Sequence, residues 1–229
     1  MRYNQELQNN NAELQSILDS VNALPDAESG GSSMNEYVKC ATVLRFQDLN
    51  LFGKNEATFE CDNLTTALSM FGQDVINTTV EHIEVNAPLA IESCQNMFYA
   101  SKGDECLKRI TLKMNFSKCP NFTAVFVNLK SLEIIDGTPL DLRSCGNVNL
   151  AFSQNNSLKE VRFVPSCISK NISFLHSSLL SDESIQSIID GLADLTGLET
   201  QTITFHADVK AKLTEAQITT ITSKNWTLA

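Results

Sequence analysis

Apolar residues recur along much of the chain in a six-residue pattern that fills its first, fourth and sixth positions. The last three positions alternate between apolar and polar, which is the period of a β-strand with one buried face. We therefore predict one short strand at each copy, with starts separated by 27, 22, 29 and 42 residues. The copies are Val80-Ile83-Val85, Leu107-Ile110-Leu112, Leu129-Leu132-Ile134, Leu158-Val161-Phe163 and the weaker Thr200-Ile203-Phe205.

A second pattern, Cys-x-Asn followed by an apolar residue, is interleaved with these strands at nearly the same period. Repeats of roughly 20–30 residues with an L-x-x-L-x-L core are typical of leucine-rich repeats, in which stacked repeats share one core. We predict an α/β solenoid, with an irregular leucine-rich-repeat-like parallel sheet over residues 36–180 and a helical C-terminal cap. The tetrads are CDNL from Cys61, CQNM from Cys94, CPNF from Cys119 and CGNV from Cys145.

Residues 1–24 carry a seven-residue repeat of apolar positions, which predicts a helix that packs against other helices along one seam. We expect copies of the chain to associate through it, with a trimer favoured. The alternative is a single amphipathic helix packed on its own domain. Pro25 ends the helix, and the Gly/Ser-rich residues 25–35 are predicted to be a flexible linker. The predicted seam consists of Tyr3, Leu7, Asn10, Leu14, Ile17, Val21 and Leu24.

Residues 181–229 have the pattern of a helix, a strand and a second helix. Ser181 is a candidate N-cap of the first helix, and Gly197 is its candidate stop. Thr214 and Gln217 form a candidate capping box for the second helix. We predict that this unit covers the open end of the solenoid, because terminal repeats are atypical.

The composition narrows the functional classes. A net charge of −10 argues against a nucleic-acid-binding face and against an anionic membrane surface. There is neither a run of about 18 apolar residues nor a recognisable leader, so we expect no membrane insertion and no secretory signal.

The seven cysteines form no CxxC pair. We interpret them as buried apolar residues, with a disulfide pair still possible and no zinc site predicted.

The chain contains none of the common catalytic or phosphate-binding motifs, so we predict no enzymatic activity and no cofactor. Outward strand positions of stacked repeats lie side by side and form one surface, which here suits a protein or glycan partner. The alternative is an ordinary solvated sheet face. The candidate binding face consists of Glu81, His82, Glu84, Arg109, Thr111, Lys113, Ser131, Glu133, Glu160, Arg162, Thr202 and Thr204.

The strand pattern, together with the segments SMF (69–71) and NMF (96–98), resembles the BspA-like class of bacterial leucine-rich-repeat proteins. Residues 180–229, with SIIDGLADLTG and the ending KNWTLA, resemble the terminal unit of such proteins in gut Firmicutes and their prophages. The opening NNNAELQSILDSVNALPDA resembles the N-terminal region of tail-associated structural proteins of these phages.

The resemblance implies a non-enzymatic structural or binding protein. The expected setting is a phage or prophage tail, so that the protein would be made in the bacterial cytoplasm and assembled into the virion. Its expected partners are other tail proteins and a receptor on the host surface. The alternative is a bacterial cell-surface adhesion module whose leader is missing from this sequence.

Overall fold

A computed structural model describes residues 39, 41–43, 55–71 and 79–229 of the 229-residue chain. The chain divides into two compact units, Met1–Val38 and Lys39–Ala229, and all described residues belong to the second. The predicted helix over residues 1–24, with its seam, and the predicted linker over residues 25–35 lie outside the described residues.

The second unit is built mainly from parallel β-sheets, with a few helices near its C-terminus. A four-stranded sheet has the order β1-β2-β4-β6, a two-stranded sheet pairs β3 with β5, and a three-stranded sheet has the order β7-β8-β9. Every strand pair in these sheets is parallel. The described strands are β1 (Glu56–Glu60), β2 (His82–Ala90), β3 (Phe98–Asp104), β4 (Arg109–Asn115), β5 (Phe126–Leu129), β6 (Ile134–Gly137), β7 (Ile172–Phe174), β8 (Gln201–Phe205) and β9 (Trp226–Leu228).

The register of the four-stranded sheet returns the chain to the same place every 25 to 27 residues. Ile83 pairs with Ile110, and Ile110 pairs with Ile135. A parallel bridge between Ile134 and Glu160 extends this ladder by one more repeat. The first apolar position of each repeat is fully buried, and these positions are Val80, Leu107, Leu132 and Leu158.

This register corrects the predicted third repeat. The sequence pattern began it at Leu129 and pointed Ile134 inward, but the structure begins it at Leu132 and buries Ile135 instead. The repeat starts from Val80 to Leu158 are therefore 27, 25 and 26 residues apart, so the spacing is regular within the four-stranded sheet, and only the gap of 42 residues to Thr200 remains. The sequence pattern missed this register because of Gly137. This glycine pairs with Leu112 at a position where other repeats have an inward side chain. A Cβ at Gly137 would lie 2.4 Å from the Leu112 carbonyl oxygen, so no side chain fits there.

Phenylalanine rings form the centre of the core. Consecutive rings of this ladder lie 4.8 to 6.1 Å apart with interplanar angles below 30°, which is offset stacking. Each member comes from a successive repeat, so the ladder joins the repeats into one core. The ladder consists of Phe71, Phe98, Phe126, Phe152, Phe174 and Phe205.

The cysteines of the four tetrads are buried, as the sequence analysis predicted. Cys94 Sγ lies 3.0 Å from Cys119 Sγ, and the Cys145 thiol donates to the Cys119 carbonyl oxygen over 2.9 Å. The thiols are free. Burial raises the pKa of Cys61 to about 12, and it also raises the pKa of Cys94. Cys61 and Cys94 therefore pack as small apolar groups.

Three helices are described near the C-terminus: α1 (Asp182–Gly191), α2 (Ala207–Lys210) and α3 (Glu215–Ser223). The Ser181 cap of α1 and the Thr214–Gln217 capping box of α3 are both confirmed. The prediction that the first helix stops at Gly197 was wrong, because α1 already ends at Gly191, after which Leu192 pairs with Ile168.

Helix α1 follows the last repeat of the four-stranded sheet and occupies the edge where another strand would pair. The Ser184 hydroxyl accepts the backbone N–H of Val161 over 3.0 Å, and the Ser187 hydroxyl accepts that of Phe163 over 3.0 Å. An open strand edge presents unpaired backbone groups that recruit further strands. The helix therefore ends the sheet by replacing strand hydrogen bonds with serine hydroxyls.

We predict that Ser184→Ala lowers the free energy of unfolding by about 1–3 kcal/mol, because it leaves the Val161 N–H buried without a partner. Ser184 itself is only 2% exposed, so water cannot replace the lost hydroxyl. Chemical denaturation followed by circular dichroism measures the change. The matched control is Ser223→Ala at an exposed position of α3, where we expect about 0.5 kcal/mol or less. Equal effects of the two substitutions would contradict the proposed role of Ser184.

One carboxyl group is buried at the end of β3. Asp104 Oδ1 accepts the backbone N–H groups of Cys106 and Leu107 over 3.0 and 2.6 Å. Asp104 Oδ2 is buried and has no hydrogen-bond partner among the described residues. Burial disfavours the charged form and raises the pKa of Asp104 above its ordinary value.

We expect this carboxyl to make the protein less stable as the pH rises. Between the unfolded pKa, about 3.9, and the higher folded pKa, the folded chain binds more protons than the unfolded chain. The free energy of unfolding therefore falls as the pH rises through that window. Asp104→Asn should remove this fall, because an amide carries no charge to desolvate, so the variant should be the more stable of the two proteins at pH 7. Urea unfolding of both proteins at pH 4 to 8 tests this, and parallel pH profiles would contradict it.

Candidate functional site on the outer face of the four-stranded sheet

Nine of the twelve residues of the predicted binding face lie together on or beside the outer face of the four-stranded sheet. The strands alternate between buried residues, such as Ile83 and Ile110, and residues that point outward. His82, Glu84, Arg109, Thr111 and Lys113 occupy outward positions in β2 and β4. Glu81 and Glu133 directly precede β2 and β6, and Glu160 and Arg162 belong to the last repeat of the ladder.

The other three residues lie elsewhere, and the prediction that all twelve form one surface was wrong. Thr202 and Thr204 belong to β8 in the three-stranded sheet, because α1 takes the place of a strand on the four-stranded sheet. Ser131 lies in the turn before β6, where its hydroxyl donates to the Glu105 carbonyl oxygen over 2.8 Å. Its displacement follows from the corrected start of the third repeat.

Charges of opposite sign face each other between neighbouring strands. Lys113 Nζ lies 2.6 Å from Glu84 Oε1, and Lys108 Nζ lies 3.0 Å from Glu81 Oε2. Hydrogen bonding from Lys113 lowers the pKa of Glu84. Lys159 pairs with Glu133 over 2.8 Å in the same way. Exposed pairs of this kind contribute about 1 kcal/mol or less each, so their main effect is to neutralise the face.

A polar chain crosses three strands in the middle of this face. His82 Nε2 lies 3.0 Å from Thr111 Oγ1, and the Thr111 hydroxyl donates to Asp136 Oδ1 over 2.6 Å. Arg109 forms an ion pair with the other oxygen of Asp136. Because Thr111 already donates to Asp136, its oxygen accepts from His82, and the histidine does not act as a base toward it. These hydrogen bonds fix the four side chains in place across the three strands.

A cleft of about 270 Å³ opens where the four-stranded sheet reaches its last repeat. The side chains of Asp136, Thr138, Glu160 and Arg162 contribute to its lining. Asp136 is already paired with Arg109. Within the described part of the chain, Glu160 and Arg162 have no ion-pair partner. The cleft therefore offers one negative and one positive group to a partner.

Sequence analysis missed Asp136, which organises the centre of the face by holding both Arg109 and Thr111. It also missed Lys108 and Lys159, which neutralise Glu81 and Glu133. Asp136 could have been found from the alternation of inward and outward residues that begins at Leu132. That alternation is hard to recognise because the last inward position, at the end of β6, is a glycine.

The described residues contain no cluster of three or more His, Cys, Asp or Glu side chains that could hold a metal ion. Among the same residues, none of the helices is long and apolar enough to cross a membrane. No protein-family model, curated protein or solved structure matches this chain.

Proposed function

We propose that this protein is a non-enzymatic binding protein that recognises a protein partner through the outer face of its four-stranded sheet. The observation that carries this proposal is the pair of charges at the cleft, Glu160 and Arg162, which have no ion-pair partner in the described structure. The other charged pairs on this face neutralise one another. Two unpaired charges of opposite sign give a polar partner both attraction and a fixed orientation.

The regular parallel ladder and the shared phenylalanine core support a further proposal about architecture. The repeats form a leucine-rich-repeat-like solenoid, and residues 181–229 form its last repeats, in which helices replace strands on one side. Each repeat buries its apolar face only against its neighbours, so the outward positions of the four-stranded sheet form a continuous surface. A rigid surface of this kind suits a binding role.

The setting that we propose is a phage or prophage tail, in which the helix predicted for residues 1–24 joins three copies of the chain. This part of the proposal rests on the sequence resemblance and on the heptad pattern of residues 1–24. Light scattering of the full chain and of a chain that starts at Met34 tests it. A trimer that becomes a monomer on truncation would support the stalk, and a monomer in both cases would contradict it.

Binding of the labelled full chain to intact cells of a panel of gut Firmicutes, measured by flow cytometry, tests the recognition role. We expect binding to at least one strain and a loss of at least tenfold in Arg162→Ala and Glu160→Ala. The matched control is Lys212→Ala, an exposed residue that does not line the cleft. Absence of binding across the panel, or equal binding by all variants, would contradict the proposed face.

A further inference from the structure

We propose that a second cleft, on the three-stranded sheet, binds a neutral carbohydrate chain. The cleft has a volume of about 260 Å³ and runs along the outward positions of β7 and β8. All of its lining residues belong to the described part of the chain, and none of them is ionisable. The side chains that carry the argument are Asn149, Leu150, Asn171, Ser173, Thr202 and Thr204.

Most amide and hydroxyl groups of this cleft are available to a ligand, although Ser173 Oγ already accepts the backbone N–H of Leu175 over 3.3 Å. The side chains of Asn149, Thr202 and Thr204 form no hydrogen bond with any described residue. Asn171 Oδ1 accepts the backbone N–H of Thr202 over 2.6 Å, which fixes the side chain, while its Nδ2 has no acceptor among the described residues. Sugar hydroxyls both donate and accept, and amides and hydroxyls at fixed positions match both roles.

Leu150 supplies an apolar surface beside these polar groups. Its side chain is 62% exposed, and its backbone has a φ of +55°. The equivalent position, two residues before the ladder phenylalanine, is Ser69, Asn96 or Ala124 in the earlier repeats. A leucine here gains little from burial and is disfavoured by its backbone conformation. An exposed apolar side chain next to hydroxyls and amides matches the two kinds of surface on a pyranose ring.

The charge distribution selects a neutral ligand. An anionic glycan or a nucleic acid would find no counter-charge in the cleft, and the chain carries a net charge of −10. A charged peptide would lose hydration without gaining an ion pair. A neutral saccharide needs no counter-charge and has no charged group to desolvate. This inference does not depend on the charged face of the four-stranded sheet, so the two proposals can fail separately.

A glycan array probed with the labelled full chain, followed by calorimetry with the best neutral oligosaccharide, tests the inference. We expect neutral glycans to bind and sialylated or sulfated glycans to bind at least tenfold more weakly. The affinity should change less than twofold between 50 and 500 mM salt, because no charges meet. Thr204→Val, which replaces the hydroxyl by a methyl group, should weaken binding at least fivefold.

Leu150→Asn separates binding from folding. Asparagine tolerates a positive φ, so this variant should melt at a higher temperature than the parent while binding at least fivefold more weakly. The control is Thr227→Val, on β9 outside the cleft, which should bind as the parent does. The inference is wrong if no neutral glycan binds, if charged glycans bind equally well, or if Leu150→Asn and Thr204→Val bind like the parent.

Discussion

Ile135→Asp should abolish most of the stability of the second unit, whereas Ile134→Asp should have little effect. Ile135 lies in the core of the four-stranded sheet opposite Ile110, and it is 3% exposed. A carboxylate there would be buried without a partner, which costs about 3 kcal/mol or more. Ile134 is its neighbour in the chain but points outward, in register with Arg109 and bridged to Glu160.

The two isoleucines are controls for each other. Both are isoleucines in β6, and both are replaced by aspartate. The two variants therefore differ only in the face of the sheet that receives the charge. For Ile134→Asp we expect a loss of about 1 kcal/mol or less, which covers the weaker strand preference of aspartate. Urea unfolding of the full-length variants, followed by far-UV circular dichroism, measures both changes. If Ile134→Asp is the damaging variant, the repeat begins at Leu129 and the register described above is wrong.

This pair of residues also shows where sequence analysis reached its limit. The six-residue pattern located the strands around Ile83 and Ile110, because each has apolar residues at all three inward positions. The strand that it predicted around Val161 was wrong, because the chain there forms only isolated bridges, at Glu160 and Phe163. In the third repeat the last inward position is Gly137, so the six-residue pattern that starts at Leu132 has only two apolar residues. The pattern that starts at Leu129 has apolar residues at all three positions by coincidence. A pattern of apolar residues cannot reveal a position where a neighbouring backbone leaves no room for a side chain.

The C-terminal elements were predictable for a different reason. The caps at Ser181 and Thr214 are local, because each side chain bonds a backbone group three residues away. Which sheet β8 joins is not determined by residues near it in the sequence. It depends on α1, whose Ser184 and Ser187 occupy the edge of the four-stranded sheet. Thr202 and Thr204 were therefore assigned to the wrong face, although their strand was predicted correctly.

The binding face was predictable only in part. Strand alternation identified the outward residues of β2 and β4, because each apolar neighbour marks the buried side. The partners of those residues come from strands 25 to 29 positions away, as in the contacts of Thr111 with Asp136 and of Lys113 with Glu84. Pairing between such distant residues depends on the exact register. The uncharged cleft beside Leu150 had no sequence signal at all, because its residues come from three repeats.

Phe152→Ala should destabilise the protein by about 3–5 kcal/mol, the loss expected when a fully packed phenylalanine is removed from a core. Phe152 is 1% exposed. Its ring stacks on Phe126 at 5.5 Å and on Phe174 at 4.8 Å, and it meets the edge of Phe163 at 5.8 Å. Phe126 belongs to β5 and Phe174 to β7, so this ring connects the core of the two-stranded sheet to that of the three-stranded sheet.

The same substitution tests whether the phenylalanine ladder makes the repeats one cooperative unit. Thermal and urea unfolding of Phe152→Ala should remain a single transition at a lower midpoint, because neighbouring repeats share the ladder. Phe152→Leu should recover part of the loss, since it refills most of the cavity without restoring the stacking. A double-mutant cycle with Phe174→Leu should give a coupling of about 0.5–1.5 kcal/mol. Two separate transitions, or a loss below about 1 kcal/mol in Phe152→Ala, would show that the sheets are stabilised independently of this ring.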